Sequence, residues 1–106
     1  MAQMKSHWKR KALARYKSIT LWYKKNMGLS AAAKFVEGIN NVVTLLELNP
    51  NMGKEEPEIM TFRKSYRSFV EHKNHKIIYY IEKEILYIAD IWPNSQNPED
   101  INKKLK

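Results

Sequence analysis

Four residues that could move a proton or hold a phosphate lie close together in the second half of the chain: Arg67, His72, His75 and Lys76. A neutral imidazole is a good general base near pH 7, and a guanidinium or ammonium stabilises phosphate oxygens. The two histidines flank Lys73-Asn74, and so short a segment between two strand-like runs predicts a hairpin turn. The four residues are therefore candidates for a catalytic site, although a hairpin turn is the simplest explanation of the two histidines and a contact with a partner is the next.

Strand geometry limits how many of these groups share one site. Neighbouring strand residues point to opposite faces, so Arg67 and Glu71 share a face while His72 points away unless a bulge intervenes. Arg67 is the strongest candidate, because a guanidinium can hold a phosphate or an acidic partner bidentately. A metal site needs a third ligand, and only Glu71 and the distant His7 are available, so we predict no metal.

The positive charge is concentrated in the first third of the chain. The net charge is +8, and Glu37 is the first acidic residue. Nine basic residues precede it, and the remaining chain is nearly neutral. Charge of one sign predicts a polyanionic partner, either nucleic acid or an acidic protein, although a solvated helix face would look the same. We predict partner contacts at these residues: Lys9, Arg10, Arg15, Lys17 and Trp92.

Length and composition exclude several classes of protein. The chain of 106 residues predicts a single domain over residues 1–106. It has no cysteine, which excludes disulfides and thiolate metal sites and fits a reducing cytoplasm. No apolar run approaches the roughly 18 residues of a membrane span, and the N-terminus does not resemble a secretory signal. We expect a cytoplasmic protein without a cofactor.

Helical periodicity dominates the first half of the chain. Gly28 is suited to end the first helix, Ser30 is the candidate N-cap of the second, and Pro50 stops the second. Trp22 flanks the first apolar stripe and is predicted to anchor helix to sheet. The first stripe contains Trp8, Ala12, Tyr16, Ile19 and Tyr23, and the second contains Ala32, Phe35, Val36, Ile39, Val43 and Leu46. The short connection predicts an antiparallel helical hairpin.

Alternation replaces the helical period after Pro57. Strands are predicted at residues 66–72, 76–81 and 85–92, with edge candidates at residues 58–62 and 4–8. The second and third runs are apolar on both faces, so they should be central. The predicted fold is α+β, with the helical hairpin packed on an antiparallel sheet of three to four strands.

The order of these segments resembles the RelE/ParE family of toxins from bacterial type II toxin–antitoxin modules. The basic first helix leads to "NMGLSAAAKFVEGI", then to "LNPNMGKEEPEI", "YRSFVEHKNHKIIYYIEKEILYIADIW" and "QNP". The resemblance covers roughly residues 5 to 100. It implies a curved antiparallel sheet packed on two helices, and a cognate antitoxin that wraps and neutralises the toxin.

The resemblance leaves two functions open. RelE-like members cleave mRNA on the ribosome without metal, and ParE-like members inhibit DNA gyrase. Arg67 and Lys76 match the basic strand residues of the RNase branch. However, Ser95 stands where that branch often has an arginine, and no tyrosine or histidine follows Trp92. We therefore expect a toxin that acts by binding a large target such as gyrase, with the ribosome-dependent endoribonuclease as the alternative.

Overall fold

The computed structural model describes residues 3–57, 64–71 and 75–93. These ranges contain two helices and five strands. The strands form one sheet in the order β1-β5-β4-β3-β2, and both helices pack against one face of it. None of the described helices is long and apolar enough to cross a membrane. The elements are β1 (Lys5–Trp8), α1 (Arg10–Met27), α2 (Leu29–Leu48), β2 (Lys54–Glu55), β3 (Arg67–Glu71), β4 (His75–Glu82) and β5 (Ile85–Pro93).

Gly28 alone joins the two helices. Its φ of 97° and ψ of 169° serve as the C-cap of α1 and the N-cap of α2. A positive φ is accessible to glycine without a steric cost, which explains the residue type at this sharp reversal. The prediction of Ser30 as the N-cap is wrong, because α2 begins at Leu29 and has no side-chain cap. Gly28 therefore caps the start of the second helix as well as the end of the first.

The predicted apolar stripes meet the sheet. Ala12 on α1 and Ile39 on α2 are fully buried, and both pack against strand residues such as Ile77 and Ile88. Trp8 belongs to β1 rather than to the helix, but its ring lies 5.0 Å from that of Tyr16. The helix stripes are therefore confirmed as the contact between the hairpin and the sheet.

Trp22 does not join this core. The prediction that it anchors α1 to the sheet is wrong, because 55% of the side chain is exposed. On a helix with 100° between residues, Trp22 lies almost a quarter turn from Ala12, beyond the stripe that the sheet covers. Its ring meets that of the neighbouring Tyr23 edge-on, with 5.4 Å between ring centroids.

The sheet confirms the predicted order of the long strands and is wider than predicted. β4 and β5 are central, and the segment at residues 4–8 forms the edge strand β1. In the described part of the chain the sheet has five strands instead of three or four, and β1 runs parallel to β5 whereas the other described pairs are antiparallel. The short β2 supplies the other edge, and the strand predicted at residues 58–62 lies outside the described residues.

A β-bulge in β5 changes which residues face the helices. Ile78 pairs with Asp90 but Tyr79 pairs with Ile88, so Ala89 is the extra residue. As a result Ile88 and Ile91, three residues apart, both reach the helix-side core. Strict alternation would have placed them on opposite faces.

Candidate functional site

The four candidate catalytic residues do not come together. Arg67 and His75 lie on the helix-covered face, Lys76 points to the opposite face, and His72 lies outside the described residues. Arg67 pairs with Tyr79, four residues along β4 from His75, which is roughly 13 Å of strand. The described three therefore occupy three separate environments, in agreement with the limit that alternation set.

Arg67 holds the loop that follows α2. Its Nη1 donates to the carbonyl oxygen of Gly53 at 2.8 Å and, more weakly, to that of Asn51 at 3.4 Å. Its Nη2 lies 3.4 Å from the exposed Glu55 carboxylate. The side chain is 23% exposed, so its fork is largely occupied by contacts within the chain. These contacts give Arg67 a structural role.

Tyr79 completes this clamp from the neighbouring strand. Its hydroxyl donates to the Pro50 carbonyl oxygen and accepts from the Gly53 N–H, both at 2.8 Å. Burial raises the pKa of the Tyr79 hydroxyl, with the Gly53 hydrogen bond and Arg67 opposing the shift. A Cβ at Gly53 would collide with the Tyr79 ring, so a glycine is required at this close approach. The loop is thus fixed to the sheet by two side chains.

His75 lies buried near the open end of the helix-covered face. It is 8% exposed, and its ring meets the edges of Phe35 at 5.0 Å and Tyr23 at 5.9 Å. Desolvation lowers the pKa of the imidazole. The 3.8 Å between His75 Nδ1 and Glu71 Oε2 would suit an ion pair only with a protonated ring. Because burial dominates and 3.8 Å is too long for a hydrogen bond, the pair is best described as a neutral imidazole beside a carboxylate.

Lys76 belongs to a polar network on the other face. Its Nζ lies 3.5 Å from Glu56 Oε1, which also accepts a 2.6 Å hydrogen bond from the Ser68 hydroxyl. Glu56 and Ser68 are each about 4% exposed, and the Lys76 side chain is 14% exposed. The lysine therefore neutralises a buried carboxylate, which reduces its availability for a phosphate.

The tyrosines of this face pack against one another. Tyr80 stacks on Tyr87 with 5.0 Å between ring centroids and meets Tyr66 edge-on at 5.5 Å, while Lys64 Nζ lies 4.5 Å from the Tyr80 ring centroid. Tyr80 is 3% and Trp92 1% exposed. Because Trp92 is almost fully buried, it has almost no surface for the partner contact that the sequence predicted. Packing explains these aromatic residues without a nucleic-acid base.

The basic residues of α1 divide into two groups. Arg15 Nε lies 3.3 Å from the fully buried Asp90 Oδ1, and Lys11 Nζ lies 4.0 Å from Oδ2. Lys9 lies 5.7 Å from the Tyr87 ring centroid and remains exposed, as do Arg10 and Lys17. Of the predicted partner contacts, Arg15 is therefore committed mainly to the sheet, and the exposed three are available to a partner.

No three histidine, aspartate or glutamate side chains in the described ranges are arranged to hold a metal ion.

Comparison with known proteins supplies the family assignment that these contacts alone do not. The protein-family model that describes the ParE toxin of type II toxin–antitoxin systems matches residues 7–98 of the chain. The chain belongs to the ParE toxin family.

A solved structure supports the fold of this ParE-family chain. The similar chain comes from the chromosomal ParDE toxin–antitoxin system of P. aeruginosa, with a TM-score of 0.70 and 23% sequence identity. The match covers 86% of the present chain and 96% of the solved one. At this identity the similarity shows the shared fold. None of the curated proteins matches the chain.

Sequence reasoning about this ParE-family chain missed two buried anchors, Asp90 and Tyr79. A signal for Asp90 was present, because a lone carboxylate inside the apolar run "LYIADIW" must be paired if it is buried. Its partner, Arg15, lies 75 residues away and has no local signature. Tyr79 had no signal, because a strand tyrosine ordinarily packs.

Proposed function

We propose that this ParE-family chain inhibits growth by binding a large cytoplasmic target, with DNA gyrase as the candidate, and that a cognate antitoxin neutralises it. The observation that carries the proposal is the engagement of the candidate chemical groups. Arg67 bonds backbone carbonyl oxygens, Lys76 neutralises Glu56, and His75 is buried. Contact rather than catalysis is the activity that these groups support best.

The exposed basic surface of α1 supports recognition of an acidic partner. Arg10 and Lys17 are exposed and make no described ion pair, and the first turn of α1 contains no acidic residue. Positive charge on one surface raises the association rate with an acidic partner and makes binding sensitive to salt. These properties suit a protein that must find one large macromolecule.

One observation favours ribosome-dependent mRNA cleavage as the second candidate. Lys64 and Lys76 lie on the face that the helices leave uncovered, together with Tyr66 and Tyr80. A cation could stabilise a phosphate during cleavage, and tyrosines could stack on bases. The Glu56–Lys76 pair argues against this candidate, because it would have to open before the lysine met a phosphate.

Two reactions with the purified chain separate the candidates. In the first, gyrase supercoils relaxed plasmid in the presence of increasing amounts of the chain. In the second, ribosomes translate a defined mRNA, and cleavage is mapped by primer extension. We expect inhibition of supercoiling and no new mRNA ends. Ribosome-dependent ends with unaffected supercoiling would replace the gyrase proposal with the RNase.

Growth assays test the antitoxin separately. Induced expression of the chain should stop growth, and co-expression of its cognate antitoxin should restore it. Co-purification of the two proteins as a complex would support direct neutralisation. Undiminished growth at strong expression, with the folded chain present, would contradict an active toxin.

A further inference from the structure

The end of the helical hairpin presents large apolar side chains to solvent. Leu21, Trp22, Met27 and Leu29 are the four most exposed large apolar residues in the described part of the chain, with exposed fractions between 55% and 70%. We call residues 21–30 the hairpin tip. Apolar side chains scattered singly over a surface are normal, whereas a cluster of them indicates an interaction site.

The hairpin tip is a convex end rather than a groove. Every residue from 24 to 30 is exposed, and Gly28 alone joins the two helices, so no described segment covers the tip. Trp22 lies six residues before Gly28, which is roughly 9 Å along the axis of α1. The apolar side chains therefore surround a blunt end of about this length.

The charge of the hairpin tip is positive. Lys24 and Lys25 lie in the last turn of α1, and Lys34 is exposed on α2. The first acidic residue of the chain, Glu37, lies eight residues after Leu29, roughly 12 Å along α2. The helix dipole explains lysines at the end of α1, but it does not explain exposed apolar side chains among them. The tip therefore suits an occupant that is both apolar and anionic.

This charge argues against a second copy of the chain as the occupant. A two-fold contact between tips would place Lys24 and Lys25 of one copy against the same lysines of the other. Like charges brought together in this way oppose association.

The directions of the apolar side chains favour a lipid surface over a protein groove. With 100° between helix residues, Trp22 and Met27 point roughly 100° and 240° around the axis from Leu21, and Leu29 belongs to the other helix. One protein surface cannot contact all of these directions at once. The headgroup region of a bilayer can, because it surrounds whatever enters it.

The size and residue types of the tip also suit this region. Interfacial proteins bury their apolar groups about 5–10 Å deep, which matches the roughly 9 Å from Trp22 to Gly28. Tryptophan favours the interface because its ring is apolar and its N–H is polar. The stems of Lys24 and Lys25 can lie along the apolar side chains while their ammonium groups reach lipid phosphates.

We propose that the hairpin tip binds the anionic surface of a lipid bilayer, with its apolar side chains in the headgroup region and its lysines on lipid phosphates. The exposed Arg10 and Lys17 lie nearer the other end of α1 and stay available to the acidic partner. The proposal does not rest on the gyrase target.

The test is sedimentation of the purified full chain with vesicles of phosphatidylcholine alone, or of phosphatidylcholine and phosphatidylglycerol in equal parts. We expect binding to the anionic vesicles only, weakened by added salt. The tryptophan emission should shift to the blue, because Trp22 leaves water whereas Trp92 is already buried. Trp22→Phe should remove this shift and keep most of the binding.

Paired serine substitutions test the apolar contact. Trp22→Ser with Leu29→Ser should weaken binding to anionic vesicles about tenfold or more, because two apolar side chains are lost. Leu45→Ser with Leu48→Ser is the control, since it removes two exposed leucines of α2 outside the tip and should leave binding unchanged. All four side chains are exposed, and circular dichroism checks that both variants fold.

Paired charge reversals test the lysines. Lys24→Glu with Lys25→Glu should weaken binding about tenfold or more, because each lysine near an anionic surface adds to the attraction. Lys54→Glu with Lys83→Glu makes the same change in net charge at exposed positions outside the tip and should weaken binding clearly less.

Three results would overturn the proposal: no sedimentation with anionic vesicles, equal binding by the folded tip variants and their controls, or a blue shift caused by the antitoxin but not by vesicles. The last result would make the tip a protein interface. Because vesicle binding is measured without gyrase, its outcome is independent of the supercoiling assay.

Discussion

Arg67 illustrates how a residue that suits phosphate chemistry can be used for structure. Its guanidinium donates hydrogen bonds to the carbonyl oxygens of Gly53 and Asn51, which lie in the loop between α2 and β2. The sequence made Arg67 the strongest candidate for holding a phosphate or an acidic partner. Because its guanidinium has these contacts within the chain, any loss of toxicity in an Arg67→Ala variant would include a loss of stability.

We expect Arg67→Ala to lower the free energy of unfolding by about 1–3 kcal/mol, since it leaves loop carbonyl oxygens without their donor. Urea denaturation followed by circular dichroism measures the change. Arg10→Ala is the matched control, because that arginine is exposed and should cost at most about 0.5 kcal/mol. Equal stability of the two variants would assign Arg67 to function instead.

His75 should make stability depend on pH. Its folded pKa is lowered by burial from an ordinary value of 6.5, so the unfolded chain binds a proton first as pH falls. Stability is therefore complete above pH 6.5 and is lost as pH falls from there toward the folded pKa, at up to about 1.4 kcal/mol per pH unit. The groups that face this imidazole are Tyr23 from α1, Lys34 and Glu37 from α2, and Glu71 from β3.

The measurement is the urea midpoint at pH 7.5 and pH 5.5 for the wild type and for His75→Phe. The variant should lose less stability on acidification, because it removes the imidazole whose pKa is lowered by burial. The facing carboxylates are common to both proteins and cancel in the comparison. The same loss in both proteins would show that His75 is not the titrating group.

At the scale of elements, the turn of the β4–β5 hairpin has residue types that do not suit its backbone conformation. Its two residues, Lys83 and Glu84, have φ of 49° and 65°. Both values lie in the left-handed region, as a type I′ turn requires, where Asn-Gly is preferred and other side chains cost about 1 kcal/mol or more. The strands impose this turn, because the two central strands pair along their full lengths.

Replacing the turn with Lys83→Asn and Glu84→Gly should stabilise the protein by about 1 kcal/mol. Thermal unfolding should then shift upward by about 4–8 °C. The control is Lys83→Ala with Glu84→Ala, which keeps a Cβ at both positions and should give no gain. A similar rise in the control would mean that charge, rather than backbone conformation, limits this turn.

The α1–β5 contact includes an ion pair between Arg15, whose side chain is 34% exposed, and the fully buried Asp90. Asp90 Oδ1 accepts from the Ile91 N–H at 2.8 Å and from Arg15 Nε at 3.3 Å, and Lys11 is farther away at 4.0 Å. Removing the arginine leaves a fully buried carboxylate with weaker compensation. The pair therefore links the basic helix to the bulged strand.

We expect Arg15→Met to cost about 1.5–3 kcal/mol, as for a hydrogen bond between charged groups. In an Asp90→Asn background the same substitution should cost clearly less, because no buried charge is left behind. A double-mutant cycle from urea denaturation gives the coupling energy. Additive effects of the two substitutions would show that the pair contributes nothing specific.

At the scale of the whole molecule, the positive charge is distributed unevenly along the chain. The excess positive charge lies in the first third of the chain, and the carboxylate that pairs with Lys11 and Arg15 is Asp90 on β5. Part of the basic segment is therefore used inside the fold, and the rest forms the exposed surface of α1. This surface is the part of the molecule that should control recognition of an acidic partner.

Reversing the charge of Arg10 and Lys17 to Glu should reduce growth inhibition on induction at least tenfold, measured by surviving colonies, with stability nearly unchanged. Lys54→Glu with Lys83→Glu makes the same change in net charge at exposed positions elsewhere on the sheet and is the control. Equal loss of toxicity in both variants would indicate a general charge effect rather than recognition by α1.

The sequence by itself determined the elements of this protein and the distribution of its charge. Helical stripes and alternating runs predicted the hairpin, its burial and the central position of β4 and β5, because these features depend on residues close in sequence. The family resemblance added the toxin assignment. Alternation also predicted that the four candidate catalytic residues could not all share one site, because Arg67 and His72 point to opposite faces of a regular strand.

Only the tertiary structure decided which distant groups meet. The parallel pairing of β1 with β5 joins segments about 80 residues apart, and Arg15 meets Asp90 across 75. The exposure of Trp22 and the capture of Arg67 by the loop after α2 likewise depend on where other elements pack. Such contacts are set by topology, strand register and the bulge at Ala89, for which no short stretch of sequence contains the information.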